Sequence, residues 1–110
     1  MPDGNHQATC IWTGASGTNY KYWVYPIGRS LKPEGGNYVF CKRSPDVRWV
    51  PVYFGKTANL SERFGDHHAM QCIERNGATH IHARLNSRVQ ARLDEETDLR
   101  ASYRTACNKQ

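Results

Sequence analysis

No run of about 18 apolar residues occurs in the chain, so it offers no helix able to cross a bilayer. The opening residues, MPDGNHQATC, lack the basic start and apolar centre of a secretory leader. A soluble, cytoplasmic protein with no membrane partner is expected. CxxC pairs are also missing: Cys10, Cys41, Cys72 and Cys107 are spread roughly thirty residues apart, without Cys/His spacing of a zinc site. This excludes a zinc knuckle and predicts reduced, mostly buried thiols. Repeats and low-complexity segments are absent as well. What remains is a chain of 110 residues, 38% hydrophobic and 11% aromatic, enough for one core and too short for two. Its 15 Lys+Arg against 10 Asp+Glu leave a formal charge of +5, a modest excess that suits a polyanionic partner.

Residues 1 to 19 are rich in Gly, Ser, Thr and Asn and read as a loose lead-in. Residues 20 to 25 (YKYWVY) are aromatic and β-branched, bounded by Pro26 and Gly28, and predict a strand. A second strand is expected over residues 37 to 41, with Tyr38 and Phe40 on one face and Val39 and Cys41 on the other. The loop around Ser44-Pro45-Asp46 returns the chain as a third strand over residues 50 to 54, and so short a link predicts an antiparallel hairpin. Asn59 and Glu62 have the spacing of a capping box, predicting a helix from there to Asn76, with Gly77 in the position that closes it. A fourth strand over residues 78 to 85 and a helix from Ser87 to Tyr103 complete the order β-β-β-α-β-α. That order is an α+β domain, an antiparallel or mixed sheet flanked by helices.

Gly55-Lys56-Thr57 suggests a nucleotide-phosphate loop, but such a loop needs a glycine five residues before its second glycine, and position 50 is Val within a strand. Nucleotide binding is therefore excluded. A strand ending beside a helix start, with Lys56 next to it, still attracts an anion. On the predicted helix Arg63 and His67 are four residues apart and share a face. The plain alternative is a surface arginine whose stem covers apolar area. In the second helix a stripe of Val89, Leu93, Leu99 and Tyr103 has Glu96 at its centre. A carboxylate there must be paired with an arginine or bound to a metal, and both readings stand. Glu95 falls on a different side and is expected to be solvated. Tyr38 and Tyr53, like most tyrosines in a small domain, read first as core rings, with catalytic phenols as the sharper alternative. His80 and His82 alternate on one strand face, with no neighbouring carboxylate to complete a metal site.

Gly36-Asn37-Tyr38, Tyr53-Phe54-Gly55 with KTANLSER (56 to 63), His67, and ETDLRASYRTACN (96 to 108) together resemble the GIY-YIG nuclease superfamily. There a Gly-x-Tyr strand, a Tyr-x-Gly strand, an arginine-bearing helix and a Glu-x-x-Leu…Tyr…Asn segment recur in this order. The likeness covers residues 36 to 108, so residues 1 to 35 would be an N-terminal extension adding an edge strand and residues 36 to 110 the nuclease domain. It implies a small α/β sandwich that hydrolyses DNA phosphodiester bonds with one divalent metal. Residue by residue, Glu96 would hold Mg²⁺ or Mn²⁺, and Tyr38 would be the general base, with Tyr53 positioning water or phosphate. Arg63 would brace the scissile phosphate, and His67 would orient a phosphate or a tyrosine hydroxyl. Lys56 would add charge at the phosphate, and Gly36, Gly55 and Asn108 would support the structure. His68 adjoins His67, so the histidine role is open between them, with the spacing from Arg63 favouring His67. The chain departs from the pattern at Asn37, where the family has an aliphatic residue, and at Thr105-Ala106, where a proline usually precedes the final Asn. Specificity would come from a homodimer or a protein partner. The alternatives are a non-catalytic nucleic-acid-binding or regulatory module that keeps the fold, and a protein-interaction domain using the aromatics near Tyr22 and Trp23.

Overall fold

The structure, a computed structural model, describes residues 8–62, 64 and 67–108. The elements are β1 (Thr9–Thr13), β2 (Asn19–Pro26), β3 (Gly36–Arg43), β4 (Trp49–Thr57), α1 (Met70–Arg75), β5 (His80–Leu85) and α2 (Val89–Ser102). All five strands form one sheet in the order β1-β2-β5-β3-β4, and every neighbouring pair is antiparallel. The molecule is thus an α+β domain with two helices on an antiparallel sheet. Among the described residues no helix is long and apolar enough to cross a membrane.

Period-two alternation sorts the strand residues onto two faces. On one, Tyr38, Phe40, Tyr53 and Ile81 pack with Leu60, Ala69 and with Ile73 of α1. On the other, Trp12, Tyr22, Val39, Cys41 and Phe54 pack with Leu99 of α2. The β3–β4 hairpin runs from the Arg43–Trp49 pair to the Gly36–Thr57 pair, with an irregularity between Phe40 and Cys41. That offset inserts Val52 and keeps Tyr53 opposite Phe40, so Tyr38 and Tyr53 end on the same face.

Five expectations need correction. The lead-in contains a strand: β1 pairs with β2 and sinks Trp12 into the core. The expected edge strand is therefore interior, since β2 lies between β1 and β5. Tyr22, grouped above with exposed aromatics, is fully buried, whereas its neighbour Trp23 is 40% exposed, as alternation requires. Of the helix expected from Asn59 to Asn76, the described residues are α-helical only over Met70–Arg75. Asn59 Oδ1 accepts the Ser61 N–H at 2.9 Å, a turn two residues long that competes with helix capping. Glu62 turns back to accept the Thr57 hydroxyl at 2.7 Å, and Phe64 lays its ring 4.8 Å from that of Tyr38. Gly77 closes α1 with φ +79, a conformation suited to glycine.

The last correction concerns the thiols. Cys72 of α1 and Cys107 form a disulfide, with Cα atoms 5.7 Å apart, while Cys10 and Cys41 are free. The bridge ties the C-terminal segment to α1, and hydrogen bonds hold that segment against β4, the edge strand. Cys107 N–H donates to the Val52 carbonyl at 3.1 Å. The buried Asn108 side chain accepts the Phe54 N–H at 2.8 Å and donates to the Phe54 carbonyl at 2.9 Å. An otherwise open strand edge is thereby covered. Thr105, where the family pattern has a neighbouring proline, donates its hydroxyl to Asn108 Oδ1 at 2.6 Å.

Candidate active site

Tyr38 sits opposite Gly55 across the hairpin. A Cβ on Gly55 would overlap the Tyr38 ring, so the glycine provides the space in which the phenol lies. Gly36 is constrained similarly, by the Arg84 carbonyl and the Leu60 side chain. The Tyr38 and Tyr53 rings stack at 6.2 Å and 26°. Together with Lys56, His67, His68 and Glu96 they line an open cleft of about 390 Å³.

His67 reaches this cleft through a turn, with its Nε2 2.7 Å from the Tyr38 hydroxyl. Its other ring nitrogen, Nδ1, accepts the Ala69 N–H at 3.0 Å. An accepting Nδ1 carries no proton, so the proton of the neutral ring is on Nε2 and points at the Tyr38 oxygen. Burial, aided by His68, lowers the His67 pKa and keeps the ring neutral. Tyr38 therefore accepts a hydrogen bond from His67 and keeps its own O–H for another partner. His68 takes the second phenol: its Nε2 is 3.4 Å from the Tyr53 hydroxyl, and the two imidazoles stack at 4.5 Å. Both histidines thus touch a tyrosine, one each.

Burial raises the Tyr38 pKa, with Tyr53, Glu96 and Glu62 opposing ionisation further. Burial and Glu96 raise that of Tyr53, while Arg100 works in the opposite direction. Both phenols are protonated at neutral pH, and removing a proton from Tyr38 requires positive charge entering beside these carboxylates.

The two glutamates of α2 exchange the places expected of them. Glu95 is the core carboxylate, 3% exposed, accepting bonds from the Tyr22 hydroxyl, from Arg84 Nε at 3.1 Å and from Asn86 Nδ2 at 3.2 Å. Glu96 is on the cleft wall, its side chain 13% exposed and 3.8 Å from Lys56 Nζ. The helix is rotated from the apolar stripe: its buried residues are Arg92, Glu95 and Leu99, while Val89 is 73% exposed. A polar face turns inward because the sheet supplies partners for it. Asn37 is one of them, donating to the Arg92 carbonyl at 3.0 Å and accepting from Asn86 at 3.1 Å. The Asn that departs from the family pattern therefore fastens β3 to α2. This network of Tyr22, Arg84, Glu95 and Asn37 was missed from sequence, and only the pairing of β2, β5 and β3 brings its members together.

Arg63 lies outside the described residues. His80 and His82 do not form a metal pair. His82 is buried, with Nδ1 accepting the Trp12 indole N–H at 3.0 Å and its ring against Trp49. Among the described residues no group of three or more His, Cys, Asp or Glu side chains could hold a metal ion. The carboxylates lining the cleft are Glu96 and Glu62, a donor set that fits a hard cation keeping most of its waters. Comparison of the chain with protein-family models, curated proteins and solved structures returns no match.

Proposed function

We propose that the chain is a nuclease domain of the GIY-YIG type that hydrolyses DNA phosphodiester bonds with Mg²⁺ or Mn²⁺. The observation that carries this reading is the convergence of Tyr38, Tyr53, Lys56, His67 and Glu96 on one open cleft. These residues come from β3, β4, a turn and α2. Tyr38 first gives up its own proton to solvent, and the His67 Nε2–H stabilises the phenolate that results, which counters the effect of burial. The phenolate oxygen then takes the proton of the attacking water as the water oxygen bonds to phosphorus and the P–O bond to the leaving group breaks. Tyr53, tied to His68, orients the phosphate. Lys56 and, by the family pattern, Arg63 balance the charge that builds on the phosphoryl oxygens. Glu96 would hold the cation, which when bound supplies positive charge to the phosphate and offsets the carboxylates that keep the phenols protonated.

A second reading, a nucleic-acid-binding or regulatory module without catalysis, is favoured by one observation: Lys56 already pairs with Glu96. Plasmid nicking with Mg²⁺ or Mn²⁺ separates the two. The native protein is expected to nick, and Glu96→Ala and Tyr38→Phe to bind DNA without nicking. Binding by the native protein with no cleavage in any divalent ion would leave the binding module. A cytoplasmic location and specificity supplied by a homodimer or protein partner belong to the same proposal.

A further inference from the structure

Among the described residues, no helix lies over the β2 end of the sheet on the face that carries the two tyrosines. α1 is six residues long and packs over β3 and β5, leaving Trp23 of β2 and Leu85 of β5 40% and 45% exposed. With Tyr25, Leu31, Lys32 and Ala83 these residues line a groove of about 370 Å³, and no carboxylate is among the side chains that line it. Cations accompany both rings. Lys21 Nζ lies 5.4 Å from the Trp23 ring centre, and the Arg29 guanidinium lies 5.4 Å from that of Tyr25. A patch of aromatic faces edged by cations is what a flexible polyanion with unpaired bases requires: ring faces for stacking and charge for its backbone. Scattered exposed apolar residues carry no such meaning, but these are contiguous.

The register ties this patch to the cleft. Trp23 pairs with Ala83, Ala83 with Tyr38, and Tyr38 with Gly55, so the four form one row across the sheet. Directly opposed residues share a face, so Trp23 and Tyr38 project from the same side. Two strand spacings, about 10 Å, separate their backbones, with only the small Ala83 between.

We propose that Trp23 and Tyr25, flanked by Lys21, Arg29 and Lys32, form a stacking platform for a single-stranded nucleic acid, which runs from there to the cleft at Tyr38. The direction of the strand rests on the nuclease reading; the stacking does not. The substrate would then be a strand with unpaired bases beside the bond cut, since bases inside a duplex present no free faces to Trp23.

The test measures binding without cleavage, by fluorescence anisotropy in EDTA, using labelled oligo(dT) of about 12 nucleotides and a duplex of equal length at one fixed salt concentration. Native protein is expected to bind oligo(dT), and Trp23→Ala to bind it about tenfold more weakly. Trp23→Phe, which keeps a ring face, should recover most of the loss. Duplex affinity should be unchanged by either substitution. Val89→Ala, exposed on α2 across the sheet, serves as the control and should match native. Circular dichroism establishes that each variant is folded. Equal oligo(dT) affinity for native and Trp23→Ala overturns the proposal, as does failure of the native protein to bind oligo(dT) or an equal loss on the duplex. If nicking is absent while Trp23-dependent binding persists, the platform stands and the nuclease reading falls.

Discussion

His67 Nε2 lies 2.7 Å from the Tyr38 hydroxyl oxygen, and a backbone amide on the opposite nitrogen of the same ring determines which of the two carries the proton. The histidine is therefore a donor toward the phenol. Tyr38→Phe is expected to lower plasmid nicking about a hundredfold or more without weakening DNA binding. His67→Ala should lower it less, and His67→Gln, whose amide can still donate, should recover part of the loss. A Tyr38→Phe protein that nicks at the native rate would remove Tyr38 from the base role.

Neighbouring glutamates should behave oppositely. Glu95→Ala strands the Tyr22 hydroxyl and Arg84, and is expected to cost about 2 to 3 kcal/mol in urea denaturation. The figure is kept below that for a fully buried pair because the Arg84 side chain is 37% exposed. Glu96→Ala should change stability by less than about 1 kcal/mol, since its pairing with Lys56 is long and partly solvated, yet abolish nicking. Equal stability effects would mean that α2 is rotated from the position described.

Asn108 satisfies both backbone groups of Phe54 with one side chain. Asn108→Ala would leave a buried N–H and a buried C=O without partners, an expected loss of about 2 to 4 kcal/mol. Hydrogen exchange should accelerate at the Phe54 amide before other β4 amides. Unchanged exchange there would show that the C-terminal segment does not cover the strand edge.

His82 predicts acid sensitivity. Burial lowers its pKa from 6.5 to about 4, with His80 and Arg43 adding to the effect. The folded chain thus binds its proton later than the unfolded chain as pH falls. The contribution of the neutral ring is complete above pH 6.5 and is lost on descending toward about 4, a change of about 3 kcal/mol. Urea midpoints at pH 7 and 4.5 measure it, and His82→Gln should flatten that part of the slope. A native profile that matches the variant would remove His82 as the cause.

Cys72 and Cys107 close a loop with a sequence separation of 35. Reducing the bridge is expected to cost about 4 kcal/mol, in line with a loop of that length. Thiol alkylation before and after reduction should label Cys72 and Cys107 only afterwards. Immediate labelling of all four cysteines in the folded protein would mean that the thiols are free.

Strands β2, β3 and β4 were legible from their aromatic and β-branched residues, and the hairpin followed from its short link. Gly77 was legible as a helix terminus because few other residues take its backbone angle. The candidate site residues were named from a resemblance in type and order, and their contacts could not be. His67 reaches Tyr38 by a turn, although the spacing argument placed it on a helix with Arg63. The error came from reading Asn59 and Glu62 as a helix cap, when both bond locally to Ser61 and Thr57 instead.

By itself the sequence determined that β2, β3, β4 and β5 are extended and where the hairpin turns, since these depend on local composition and length. Tertiary structure decided the rest. Adjacent residues on a helix point about 100° apart, so a small rotation of α2 selects Glu95 or Glu96 for the core. That rotation is set by partners distant in sequence: Tyr22, Arg84 and Asn37 receive the polar face, and Glu96 is left on the cleft wall. The same long-range pairing recruited β1, bridged two of the four cysteines, and aligned Trp23 with Tyr38 in a single row of the sheet.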